Sequence, residues 1–256
     1  MKKRMLAALL LLVLLLGMIP TVLADGRIFE INAKVTMNSR GYTVVSWDDS
    51  EGMAPYTVSY EYVDESRSVK QVRWCSAQNL TTKSHAIVGL IPGKTYRIIV
   101  FDRNKYSTSR LITVPTKADI SSTRKRKETI TPMYSRNGAS PKKLKNMSAS
   151  AMQRNMAKGY GYGIEYSTEF YSAASKEIVH DALFAFYAPN GYVDTNYAAD
   201  FTLPKKANMR YYYTFLGSSF FDGLLQLNGS IPTGTYRFEI YLEGRLFCSK
   251  TFKVAK

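Results

Sequence analysis

The sequence predicts an all-β protein of two β-sandwiches in tandem joined by a basic linker. Three observations predict it. The run Leu90-Ile91-Pro92-Gly93-Lys94-Thr95-Tyr96 sets a Pro-Gly turn between a hydrophobe and a tyrosine. Ile231-Pro232-Thr233-Gly234-Thr235-Tyr236-Arg237 repeats that pattern at a constant offset of 140 residues. Runs alternating with period two adjoin both segments, as strands with one buried face require. In such a corner the turn reverses the chain between two strands, and the Tyr hydroxyl ties the loop to backbone just upstream. The motif shapes a scaffold and carries no chemistry.

In chain order, Lys2, Lys3 and Arg4 precede an uncharged stretch from Met5 to Ala24 whose core, Leu6 to Leu16, is almost entirely apolar. Positive start, apolar middle and the Val22-Leu23-Ala24 ending make residues 1–24 a Sec-type signal peptide, so a secreted or cell-surface location is expected. An uncleaved anchor competes, since about 20 residues can span a bilayer; Pro20 and the small-residue ending favour cleavage. No cysteine follows the apolar run, which excludes a lipoprotein anchor.

Residues 25–116 read as the first sandwich. Tyr42-Thr43-Val44-Val45-Ser46 alternates into Trp47, Tyr56-Thr57-Val58-Ser59-Tyr60-Glu61-Tyr62 alternates again, and Arg97-Ile98-Ile99-Val100 follows the corner. Trp47, the Pro55-Tyr56 strand start, Tyr60, Leu90, Pro92, Gly93 and Tyr96, in that order, resemble a fibronectin type III domain over roughly residues 27–116. The resemblance implies a seven-stranded sandwich of about 100 residues. It implies no particular activity, because members of the family are mostly spacers or adhesion modules.

Residues 117–158 carry most of the charge. The chain's formal net charge is +15, and this segment holds +9 of it, against zero from 159 to 256. Arg124, Lys125, Arg126, Lys127, Lys142, Lys143 and Lys145 stand among Ser, Thr, Asn, Gly and Pro, opposed only by Asp119 and Glu128. Like charges at this density repel and extend a chain, so the segment reads as a polybasic linker. Leu144, Met147, Ala151, Met152 and Met156 fall near helical spacing and predict a short amphipathic helix over about 142–158.

Residues 159–256 read as the second sandwich. Phe238 to Leu242 alternates, Glu243-Gly244 makes a hairpin turn, and Leu246 to Val254 is the closing strand. On residues 183–254, with Pro232 and Tyr236 at its corner, this half resembles the C-terminal immunoglobulin-like domains of bacterial surface proteins. The sequence leaves open whether the Tyr-rich segment 159–172 belongs to this sandwich or folds back on the first. The two cysteines, Cys75 and Cys248, fall in different halves, so a disulfide between them would staple the domains together; separate buried thiols are the alternative.

Little of the sequence points to catalysis, and no catalytic, cofactor-binding or metal-binding residues are expected. His85 and His180 lie in strand-like runs without the neighbours of a zinc site. No nucleophile elbow, His-Glu-x-x-His helix or phosphate loop occurs. Asp48-Asp49-Ser50-Glu51-Gly52 lacks the ligand spacing of a calcium loop. Glu165 and Glu169, four apart in a strand, are roughly 13 Å apart, too far for a glycosidase pair. The expected partners are an anionic cell-envelope polymer or lipid headgroups, with a glycan or a surface protein as further classes. Aromatics are not interleaved with the basic residues, which argues against sequence-specific nucleic-acid binding. The runs Tyr160 to Tyr166 and Tyr211 to Phe215 together put rings on both faces of strands, which suits stacking on sugars. The sequence thus predicts an exported, non-catalytic binding or adhesion module of a bacterial cell surface. A glycan-binding accessory protein, an enzyme centred near His180 and a plain spacer are the alternatives.

Overall fold

The computed structural model describes residues 33–48, 52–63, 73–104, 107–117, 123–172, 178–203, 209–216 and 218–256. The leader at 1–24 and most of the acidic loop at 48–52 lie outside them. Seven described strands build the first sandwich: β1 (Lys34–Met37), β2 (Thr43–Ser46), β3 (Tyr56–Tyr62), β4 (Arg73–Leu80), β5 (Ser84–Ile87), β6 (Thr95–Phe101) and β7 (Ser107–Thr113). They form a sheet ordered β1-β2-β5 and a sheet ordered β4-β3-β6-β7, with the strand number that the type III resemblance implies. The period-two pattern sends Val45, Tyr56, Val58, Ile98 and Val100 inward, where they bury against Trp47, Ile87 and Leu90. Trp47 meets Tyr56 edge to face at 5.5 Å between ring centres. At the corner the buried Tyr96 hydroxyl accepts the backbone N–H of Ile91 at 3.0 Å.

The second half holds nine described strands and two helices. These are β8 (Thr123–Arg136), β9 (Lys142–Lys143), β10 (Met147–Ser148), α1 (Ala149–Met156), β11 (Tyr160–Ser172), β12 (Ile178–Tyr187), β13 (Val193–Leu203), β14 (Met209–Leu216), α2 (Ser218–Asn228), β15 (Gly234–Leu242) and β16 (Arg245–Ala255). A five-stranded sheet ordered β10-β16-β15-β12-β13 faces a four-stranded sheet ordered β14-β11-β8-β9. Phe184, Phe186, Tyr236 and Phe238 from one sheet and Tyr162, Ile164 and Tyr166 from the other share a core with Phe220, Phe221 and Leu224 of α2. Tyr236 repeats the corner with a different partner, donating to the Pro232 carbonyl at 2.6 Å.

Residues 123–158 are therefore not a linker. Thr123–Arg136 is a strand that pairs antiparallel with β11 from Thr123↔Ser172 to Arg136↔Tyr160. The alternation Thr129-Ile130-Thr131-Pro132-Met133-Tyr134 sets Ile130 and Tyr134 against the core, and that burial outweighs the repulsion among its charges. A carboxylate also meets one of its cations, Glu165 lying 3.1 Å from Lys143, while Glu128 pairs with Lys250 of β16 at 3.2 Å. The second sandwich accordingly begins at 123 rather than 159, and Tyr160–Ser172 is an inner strand of it. The helix expected over 142–158 is confined to Ala149–Met156. Ser148 caps its start, and Met147 and Ser148 instead pair parallel with Val254 and Ala255.

The two sandwiches meet along the outer face of the five-stranded sheet. Ile91, from the first corner, packs with Leu183, Ala185, Tyr187 and Tyr241. Beside it the Tyr42 hydroxyl donates to Asp181 Oδ2 at 2.9 Å and contacts the Tyr197 hydroxyl. The β1–β2 turn and the β15–β16 turn lie backbone to backbone: a Cβ at Gly41 would stand 2.2 Å from the carbonyl carbon of Glu243. Cys248 is a buried thiol, so no disulfide with Cys75 staples this seam.

Three outcomes follow from these contacts. Tyr96→Phe strands the N–H of the fully buried Ile91 and costs about 1–3 kcal/mol in urea unfolding. Tyr236→Phe costs less, because the carbonyl of half-exposed Pro232 can turn to water. Gly41→Ala, at φ +82° and with backbone in its way, loosens the seam, and small-angle scattering reads a larger radius of gyration than for the wild type.

Candidate functional site

A concave site lies where β8 turns into β9. Asn137 and Gly138 both adopt positive φ, 48° and 75°, and Ala139 N–H bonds to the Arg136 carbonyl at 3.0 Å. This is the two-residue turn that matches strand twist and that Asn-Gly favours. The pairing sets Tyr160 opposite Arg136, Tyr162 opposite Tyr134 and Lys142 opposite Tyr134. Directly paired residues share a face and residues two apart along a strand do also, so Tyr134, Arg136, Lys142 and Tyr160 converge on one side. Tyr162, on that same face, is drawn into the core and accepts from Asn155 Nδ2 of α1 at 3.2 Å. Tyr134 and Tyr160 stay half-exposed, their rings 6.1 Å apart and 22° from parallel. The Arg136 guanidinium stands 5.4 Å from the Tyr160 ring centre. A groove of about 470 Å³ opens here, rimmed by Asn137, Ala139 and Ser140, within the size range of small-ligand sites. Flat rings beside fixed cations can hold a planar or cyclic group that carries negative charge.

The polyanion-binding residues expected from the sequence are only partly brought together. Lys142 lines the groove. Lys143 points to the opposite face and is engaged by Glu165, and Lys145 is exposed beyond the strand end. Arg124, Lys125, Arg126 and Lys127 fall within β8; their side chains lie outside the described residues, as do those of Cys75, His180 and Tyr211 to Phe215. Tyr134, Arg136 and Asn137 were not singled out by the sequence reading. The Asn137-Gly138 dipeptide was their signal, and the surrounding charge obscured it.

The scaffold tyrosines occupy the first core and the seam. Tyr60 and Tyr62 pack edge to face on Tyr96, at 6.0 and 5.4 Å between centres. Asp194 of β13 lies close by in the seam, where burial pushes its carboxyl above the usual range despite a bond from Thr195 N–H at 2.8 Å. Burial, and then the Asp194 charge, push the Tyr60 hydroxyl up. On the far edge His85 Nε2 lies 3.0 Å from Ser76 Oγ, and burial holds the imidazole below its ordinary value. That pair has the contact of a nucleophile and base, but neither residue lines the groove or the seam. Among the described residues no group of three or more Cys, His, Asp or Glu is placed to hold a metal ion.

No protein-family profile matches the chain, and no curated protein matches it. Among solved structures it is similar to a two-domain fibronectin type III segment from chicken tenascin, at 10% identity and a TM-score of 0.27, over 88% of this chain and 100% of that one.

The raised Asp194 carboxyl sets a pH test. An acid whose folded value lies above its unfolded one costs stability as pH rises past the unfolded range and through the folded value. Asp194→Asn keeps the acceptor for Thr195 N–H without the charge. It is expected to be more stable than wild type at pH 7 and indistinguishable from it at pH 3, read by thermal melting.

Proposed function

We propose that this protein is a non-catalytic binding module, exported through the leader at 1–24, that adheres at a bacterial cell surface to an anionic envelope polymer. Paired sandwiches are a frame on which binding and adhesion sites are commonly built, and the frame itself dictates no ligand. The observation that carries the reading is the set of exposed cations on the β8–β9 hairpin and α1. Arg136, Lys142, Lys145, Arg154 and Lys158 are all exposed, and none forms an ion pair among the described residues. Hairpin and helix are joined, since Asn137 N–H bonds to the Gly159 carbonyl at 2.9 Å just past the helix end.

Near an anionic lipid surface each cation is worth ~1 kcal/mol, so five fixed together give a useful attraction that salt screens. Because they sit on a folded hairpin and helix rather than on an extended tether, they present charge in one geometry. Co-sedimentation of the purified protein with isolated bacterial envelopes across a salt series tests this. Binding is expected to fade with salt and to disappear in a Lys145→Gln, Arg154→Gln, Lys158→Gln variant. Binding that survives both salt and the triple change would transfer recognition to the sandwich faces and overturn the electrostatic reading.

A further inference from the structure

We propose that the hairpin groove binds an acidic saccharide unit of an extracellular polymer. The inference rests on the surface-binding reading and names the ligand chemistry of that surface. Tyr134 and Tyr160 offer half-exposed, near-parallel rings, on which the C–H face of a pyranose can lie with apolar contact and little ordering cost. The Arg136 guanidinium lies over the Tyr160 ring, 5.4 Å from its centre, so its planar fork is held on the ring side of the groove, within reach of a ring carboxylate. Lys142, opposite Tyr134 in the ladder, supplies a second cation from the other wall. Asn137 and Ser140 on the rim are exposed and give donors and acceptors to ring hydroxyls.

Other anions use this arrangement less well. Inorganic phosphate chains leave the rings without a role, and an anionic lipid surface is flat where this site is concave. Single-stranded nucleic acid stacks successive bases on successive rings along a channel, whereas here both rings lie in one groove.

Isothermal titration calorimetry of the purified protein decides the matter, with oligogalacturonate, the same oligomer with its carboxyls reduced to alcohols, polyphosphate, anionic phospholipid vesicles and a single-stranded oligonucleotide. Oligogalacturonate is expected to bind, and carboxyl reduction to weaken it by about tenfold or more, the worth of one charge-assisted contact. Arg136→Gln is expected to cause a similar loss. Tyr160→Ala and Tyr160→Leu are both expected to lose about tenfold, and the second, which keeps apolar volume where the ring packs against the core, does so with an unchanged melting temperature. Tyr160 variants that bind like wild type overturn the proposal. So do polyphosphate, vesicles or the oligonucleotide binding as tightly as the uronate. Salt-released envelope binding without oligomer binding sinks the groove and leaves the surface reading standing; oligomer binding without envelope binding does the reverse.

Discussion

The ladder between β8 and β11 is the constraint on which the rest of the second sandwich depends. It converts the most highly charged stretch of the chain into part of a core. Two like charges about 7 Å apart on one strand face repel by only about 0.6 kcal/mol in water, and salt weakens that further. Each large apolar side chain that the strand buries returns about 1.5–3 kcal/mol. Ile130, Tyr134, Tyr162, Ile164 and Tyr166 all pack into or against the core through this pair of strands. Hydrophobic burial therefore wins, and Arg136 at the end of the strand is left exposed.

That balance also explains what was legible in the sequence. Both corners could be read, because Pro92-Gly93-x-x-Tyr96 and its copy at 232–236 are local and their chemistry does not depend on distant partners. The Glu243-Gly244 turn could be read for the same reason, and both residues do adopt positive φ. Strand β8 was hidden behind its charges, although Thr129 to Tyr134 alternates and Asn137-Gly138 follows. Helix α2 escaped because its buried face, Phe220, Phe221 and Leu224, spans barely one turn between two strands. The groove could not be read at all from spacing: Tyr134 and Tyr160 are neighbours only because of the register of a strand that the charges disguised.

The first corner performs two tasks at once. Its backbone N–H is held by Tyr96 while the Ile91 side chain seats against Leu183, Ala185, Tyr187 and Tyr241. A loop that would otherwise be mobile is thereby made stiff enough to act as a docking knob. The interlocked turns at Gly41 and Gly244 fix the second point of contact. With two separated points and the Tyr42–Asp181 bond beside them, the first sandwich cannot pivot freely. It keeps a set orientation to the second sandwich, whose other sheet carries the hairpin and its cations.

Cys248 adds a consequence for the protein's lifetime. Its thiol is 1% exposed, sealed beneath aromatic side chains of the second core, and in that state it is protected from oxidants and from other thiols. The protection is entirely conformational. Once the core opens in an oxidising medium, a chain with two cysteines can cross-link to its neighbours and no longer return. Durability in such a medium is thus governed by how rarely the second core opens, a rate rather than an equilibrium.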